Sequence, residues 1–311
     1  MHFITSCYGN NYSALLAVFL MSIRKNCNNS TITVYWQDID DDIIAALQKI
    51  FPYYFVKTEF SIDSAIHKRI PSKMLLWLHA LEECHEDKIC FIDSDTVVQH
   101  RPDVFFEDYD CIFTDKNEQF HLNTGVVLIK KAPATYEFMR LWTERTIEIV
   151  EDTLLLEEAT SSQNHYGAAD QMALHQLIGY TPACKEYQYH TTKGSLALKA
   201  VPCSILNETN SISLSPAIYV YHYKGGWRDV LLNGLHSPYR TKKDCLPMHI
   251  QYLKLYWECR NLMRDAHVPE ESIEKIRLYV PPYFSMAKGT FSRVKFWLEI
   301  AKDALKSSRN A

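Results

Sequence analysis

Lys88-Ile89-Cys90-Phe91-Ile92-Asp93-Ser94-Asp95-Thr96-Val97 is the stretch on which the fold turns. Ile89–Ile92 is an unbroken apolar run that ends abruptly in two carboxylates one residue apart. An apolar run without alternation is the pattern of a strand buried on both faces, as in a parallel sheet covered by helices. Lys88–Ile92 therefore reads as a central strand ending at Asp93.

The flanking sequence extends that pattern. His2–Cys7 and Thr31–Trp36 read as strands, Phe51–Thr58 as a third, and Cys111–Thr114 and Thr124–Ile129 as two more. Between them, Tyr12–Lys25 is apolar on most of its surface and reads as a buried helix. Asp40–Asp42 places acids at the start of a helix over Ile43–Ile50, where they suit the helix dipole. Pro71-Ser72 is expected to open a helix over Lys73–Glu83, and Pro133 one that runs to Val150. Beyond residue 150 the pattern loosens, with helices expected over Ala168–Ile178 and Pro247–Ala266 and a strand over Ile218–His222. The class is α/β: a mainly parallel sheet with helices on both faces. In such sheets ligands sit at the carboxyl ends of the strands, where Asp93 and Asp95 fall.

Composition limits the chemistry. The chain has 311 residues, 47% hydrophobic and 23% charged, which is ordinary for a globular protein. With only 9 glycines it contains no GxGxxG, no GxxxxGK and no GxSxG, so the glycine-built phosphate cradles and the hydrolase elbow are absent. The net charge of −4 is no footprint for a nucleic acid. That charge is unevenly spread. Residues 284–311 carry Lys288, Arg293, Lys295, Lys302, Lys306 and Arg309 against Glu299 and Asp303, so the remainder is distinctly acidic. The apolar residues interleaved with these bases suit either a helix docked on the domain with a solvated basic face or peripheral contact with an anionic membrane. Nine scattered cysteines without a CxxC pair argue against a disulfide framework or structural zinc and for a reducing compartment. Met1–Ser6 has no basic leader or apolar core of a secretion signal, and the longest apolar stretch, Ala14–Ile23, is too short to span a bilayer. A cytoplasmic location is expected, and the sequons at Asn28, Asn29 and Asn207 are read as chance.

Asp-x-Asp occurs four times, at 38/40, 40/42, 93/95 and 108/110, but only the pair at 93/95 follows a buried strand. Two hard oxygen donors there suit Mg²⁺ or Mn²⁺ with phosphate oxygens completing the shell. Three further segments follow in order. His121-Leu122-Asn123-Thr124-Gly125-Val126, with Asn123 28 residues after Asp95, leads into the strand expected over Thr124–Ile129, Asp170-Gln171 lies 47 residues after Asn123, and His222-Tyr223-Lys224-Gly225 lies 52 residues after Asp170. Asn123 in Asn-Thr-Gly could cap a turn, Asp170 could serve only as an N-terminal helix acid, and His222 is one of 13 histidines. Taken together and in this order, over about residues 1–230, the segments resemble the GT-A nucleotide-sugar glycosyltransferases, specifically glycosyltransferase family 8, the glycogenin-like and galactosyltransferase-like enzymes.

The resemblance implies a GT-A (Rossmann-like) domain over residues 1–265 and a C-terminal helical segment over 266–311. It implies a metal-dependent, retaining glycosyltransferase that moves a hexose or related sugar from a uridine-diphosphate sugar to a carbohydrate, glycolipid or glycoprotein acceptor. Asp93, Asp95 and His222 would ligate Mn²⁺ or Mg²⁺. Asn123, Asp170 and Gln171 would face the sugar's reacting centre. Thr5, Ser6, Tyr12, Lys73, Asp93, Ser94, Gly225 and Arg228 would bind the donor, Tyr12 stacking on the base and Lys224 or Arg228 contacting the diphosphate. Where the family has Lys-Pro-Trp, this chain has Trp227-Arg228-Asp229. Residues 152–166 and 185–215, with Tyr187, Tyr189, His190 and Lys193, are expected as loops on the acceptor side. Two other readings stand beside this one. A sugar-nucleotide pyrophosphorylase would need a glycine-rich loop after the first strand, where only Gly9 occurs; a non-catalytic protein of the same fold would have lost its metal ligands, which are all present.

Overall fold

A computed structural model of the chain describes residues 1–58, 66–116, 121–161, 169–209, 215–223, 228, 231–232 and 246–278. The strands are β1 (His2–Tyr8), β2 (Thr31–Gln37), β3 (Tyr54–Lys57), β4 (Lys88–Ile92), β5 (Thr96–Val98), β6 (Cys111–Asp115), β7 (Leu122–Lys130), β8 (Glu186–Thr191), β9 (Gly194–Pro202) and β10 (Val220–His222). The helices are α1 (Ser13–Asn26), α2 (Asp41–Ile50), α3 (Ile66–Glu83), α4 (Pro133–Glu151), α5 (Thr153–Ser161), α6 (Ala169–Ile178), α7 (Cys203–Leu206), α8 (Leu246–Asp265) and α9 (Glu270–Lys275).

Eight strands form one sheet in the order β3-β2-β1-β4-β7-β6-β9-β8. The pairs β3–β2, β2–β1, β1–β4 and β6–β9 are parallel, whereas β7 runs antiparallel to both β4 and β6, and β8 antiparallel to β9. The class expected from the sequence is the one observed. Helices cover both faces. On one, α1, α2, α8 and α9 enclose a core that includes Leu16, Phe19, Leu47, Tyr256 and Ile273; on the other, α3, α4 and α6 enclose Trp77, Phe91, Phe138, Trp142 and Met172. Ser13–Ile23 of α1 is buried throughout, so this helix lies between the sheet and α8 with no wet face. Each of its large apolar side chains contributes about 1.5–3 kcal/mol by leaving water.

The structure departs from the sequence reading in several places. α3 starts at Ile66, five residues before Pro71, because a proline in the second turn removes one amide bond to the preceding turn without ending the helix. Most of residues 185–215 expected as acceptor-side loops are regular structure. β8 and β9 form a hairpin at the sheet edge, with Tyr187 pairing Leu198 and His190 pairing Ser195. The segment after 152 begins with helix α5. Tail residues 284–311, Lys224 and Gly225 lie outside the described residues. Among the described residues, no helix is long and apolar enough to cross a membrane, and the eight cysteines form no disulfide.

One small element positions the site. β5, immediately after Asp95, pairs antiparallel with β10, and the register places His222 opposite Thr96. A residue 127 positions after Asp95 is thereby brought beside it.

Candidate functional site

The Asp93-Ser94-Asp95 turn is fixed from below by backbone bonds. The Asp93 amide donates to the Gly125 carbonyl (3.0 Å), and the Thr96 hydroxyl to the Asp93 carbonyl (2.8 Å). The Asp95 carbonyl accepts from the Tyr223 amide (2.8 Å) and from the buried Tyr252 hydroxyl of α8 (2.6 Å). Both carboxylates then face His222. Nε2 lies 3.1 Å from Asp95 Oδ1 and 3.7 Å from Asp93 Oδ2. One donor atom from each of the three residues falls within a 4.8 Å cluster, two hard oxygens and an imidazole nitrogen that could hold a divalent cation.

Cationic side chains surround this centre. Arg228 Nη1 donates to Asp95 Oδ2 at 3.0 Å, and its guanidinium lies 5.5 Å from the centre of the Tyr12 ring. Burial works against ionisation of Asp95, but His222 and then Arg228 outweigh it and hold the carboxyl well below its ordinary range. Lys73 Nζ lies 3.1 Å from Asp93 Oδ1 and 4.0 Å from Asp170 Oδ2, donates to the Thr124 carbonyl (3.3 Å), and sits over the Trp77 ring. Burial opposes its charge, yet Asp93 and then Asp170 raise its pKa above the ordinary lysine value. At the start of α6, Asp170 is buried. Its Oδ2 accepts from the Thr124 hydroxyl (2.6 Å), and its carbonyl is held by Trp142 Nε1 (2.8 Å).

Two oxygens here are buried without a hydrogen-bond partner among the described residues: Thr5 Oγ1 on β1 and Gln171 Oε1 on α6. A sealed, unpartnered oxygen is costly. Ser6 is half-buried on β1, and Ser94 is buried against the thiol of Cys7, whose pKa burial pushes up to about 12. Thus Lys73, Asp93, Asp95, Thr124, Asp170, His222 and Arg228 form one connected cluster, with Tyr12 beneath the guanidinium. Asn123 is turned inward, with 3% of its surface exposed; its Oδ1 accepts from the Gly125 amide (2.8 Å) and from Asn207 Nδ2 (2.6 Å). The sequence reading missed Asn207, Tyr252 and Trp142. Asn207 was visible only as a sequon, and its complete burial with an engaged amide excludes a glycan on the folded chain.

The fold matches that of solved glycosyltransferases. The fold is GT-A. The chain superimposes on the galactosyltransferase LgtC in complex with donor and acceptor sugar analogues, with a TM-score of 0.52 and 14% identity, covering 83% of this chain and 96% of that one. It is similar to the glycosyltransferase GlyE of Streptococcus pneumoniae TIGR4, with a TM-score of 0.53 and 12% identity, covering 90% of this chain and 64% of GlyE. No family model matches the sequence, and no curated protein matches it. At 12–14% identity these likenesses concern the GT-A fold; chemistry rests on the residues of the site.

Proposed function

We propose that this GT-A chain is a metal-dependent, retaining hexosyltransferase of the glycosyltransferase family 8 type, using a uridine-diphosphate sugar and a carbohydrate, glycolipid or glycoprotein acceptor. The GT-A domain is taken to run past the expected end at residue 265 to include α9, whose Ile273 packs into the same core. The observation that carries the reading is the convergence of Asp93, Asp95 and His222 within 4.8 Å at the carboxyl end of the central strands. Its support is the fold shared with LgtC, a galactosyltransferase solved with donor and acceptor sugar analogues.

When bound there, Mn²⁺ or Mg²⁺ would neutralise charge developing on the leaving diphosphate. Arg228 would grip diphosphate oxygens, for which a guanidinium fork is well shaped. The Thr5 hydroxyl would meet a donor group, and Tyr12 offers a ring for the base. On the sugar side, Gln171 Oε1 and the Asp170 carboxylate would face the positive charge that develops at the anomeric carbon. Lys73, between Asp93 and Asp170, would help to orient both carboxylates.

The test is hydrolysis and transfer of uridine-diphosphate sugars with and without Mn²⁺, alongside donor binding by thermal shift. Cation-dependent turnover abolished by Asp95→Asn supports the reading. No turnover of any such sugar by the wild type, or turnover unaffected by Asp95→Asn, overturns it. Asp170→Asn is expected to lower turnover far more than donor affinity; an equal loss of both would reduce Asp170 to a structural role.

A further inference from the structure

His222 and Asn123 are joined by a third side chain, Asn207, which stands just after α7 and is completely buried. Asn207 Oδ1 lies 3.1 Å from His222 Nδ1, and its Nδ2 lies 2.6 Å from Asn123 Oδ1 and 3.4 Å from Thr114 Oγ1. The proton positions along this chain follow from one group whose role is not open to choice. The Gly125 backbone N–H can only donate, and it meets Asn123 Oδ1 at 2.8 Å, so that atom is the acceptor oxygen. The Asn207 atom facing the same oxygen must then be its NH₂. The Asn207 carbonyl is left facing His222, so Nδ1 must carry a proton to meet it. Turning the Asn207 amide over would set two oxygens against each other at 2.6 Å.

The ring plane is constrained as well. A Cβ on residue 125 would lie 2.6 Å from His222 Nδ1 and 2.7 Å from Cε1, so the imidazole rests against a strand that is bare at that point. We propose that Asn207 is a positioning residue: through its carbonyl it fixes the proton of His222 on Nδ1 and the ring's orientation, so that Nε2 presents its lone pair to a divalent cation between Asp93 and Asp95. The proposal rests on the reading of those three residues as a cation site. Histidines that ligate metals are commonly held this way, and losing such a partner lowers metal affinity about 10–100-fold. The same amide's NH₂ holds Asn123 against β7, so Asn207 ties the cation side of the site to the strand.

The test is Mn²⁺ affinity by titration calorimetry, with pulsed EPR of bound Mn²⁺ reporting ¹⁴N coupling from a coordinated imidazole. Wild type, Asn207→Leu, Asn207→Asp and Asp95→Asn are compared, with near-UV circular dichroism as the check of folding. Leu keeps the branched heavy-atom framework of Asn without its carbonyl, whereas a neutral Asp carboxyl keeps an oxygen for the Nδ1 proton and an O–H donor for Asn123 Oδ1. The expected result is wild-type binding with ¹⁴N coupling, a loss of about 10–100-fold in affinity and of that coupling in folded Asn207→Leu, and recovery of both in Asn207→Asp. Wild-type affinity and coupling in Asn207→Leu overturn the proposal. If Asn207→Leu does not fold, Asn207→Asp decides alone, and its loss of ¹⁴N coupling overturns the proposal. A wild type that binds no Mn²⁺, or an Asp95→Asn variant that binds it normally, overturns the cation-site reading and this proposal with it.

Discussion

Arg228 Nη1 sits 3.0 Å from Asp95 Oδ2, on the carboxylate whose other oxygen lies 3.1 Å from His222 Nε2. The guanidinium therefore occupies one oxygen of a candidate cation ligand, and under the proposed function it would also grip the diphosphate. This arrangement gives the two binding events opposite responses to one substitution. Arg228→Ala removes a positive charge that competes for Asp95 and a fork that would bind phosphate. Mn²⁺ affinity in the absence of nucleotide is expected to rise a few-fold, and affinity for uridine diphosphate in the presence of Mn²⁺ to fall about tenfold or more. Titration calorimetry measures both; a parallel change in the two would sink the idea.

Lys73 links the cation side of the cluster to Asp170 through contacts of 3.1 Å to Asp93 and 4.0 Å to Asp170. Removing the ammonium in Lys73→Met leaves two neighbouring carboxylates without it, one of them buried. The expected loss of stability is about 3 kcal/mol, at the lower end of what breaking a buried pair costs, because Asp93 is one-third exposed. Mn²⁺ is expected to restore part of that loss by compensating Asp93. Denaturant unfolding with and without Mn²⁺ checks both statements, and an unchanged midpoint in metal-free Lys73→Met would refute the first.

The sheet centre was legible because Ile89–Ile92, Cys111–Thr114 and Thr124–Ile129 are long enough to show an uninterrupted apolar pattern, and the Asp pair stands at the end of one of them. What joins the site together was not. β5 and β10 have three residues each, too few for any periodicity, yet their pairing is what carries His222 to Asp95. The hairpin of β8 and β9 was read as loop because Glu186–Thr191 alternates only between exposed and half-buried positions, as an edge strand does. Asn207 finds its partners 84 and 15 residues away, and nothing in its neighbourhood announces them. Local pattern reports burial; the contacts that orient His222 are distant in sequence and leave no local trace.

His2 supplies a pH dependence remote from the site. Its ring is buried between the hydroxyls of Thr31 (2.7 Å) and Thr33 (2.9 Å), and burial lowers its pKa below 6.5, with Glu86 opposing in part. A histidine with a depressed folded-state pKa takes up its proton more readily when unfolded. Its contribution is thus fully present above about pH 6.5 and is lost as the pH falls from there toward the folded value. Unfolding free energy is expected to decline between pH 7.5 and 5.5, and to decline less steeply in His2→Gln. Identical slopes in the two proteins would show that His2 does not carry the effect.

Gly125 is the residue on which the ring of His222 rests, and an added methyl tests how tightly the site is built. A Cβ there would meet His222 Nδ1 at 2.6 Å and Asn123 Oδ1 at 3.0 Å. Neither atom is the loose end of a flexible chain, since Nδ1 is held by Asn207 and Oδ1 by Asn207 and the Gly125 amide. Something must therefore shift, and any tilt of the imidazole away from residue 125 displaces Nε2 from its place beside Asp93 and Asp95. Gly125→Ala is expected to cost about 1–3 kcal/mol, the range for overpacking a well-filled interior. Mn²⁺ affinity should fall by tenfold or more, because Nε2 no longer meets the position shared with the two carboxylates. Calorimetric titration of the folded variant checks this. Wild-type affinity together with the stability loss would mean that the ring yields without moving its ligand atom, and that the orientation of His222 is set from the Asp95 side rather than from β7.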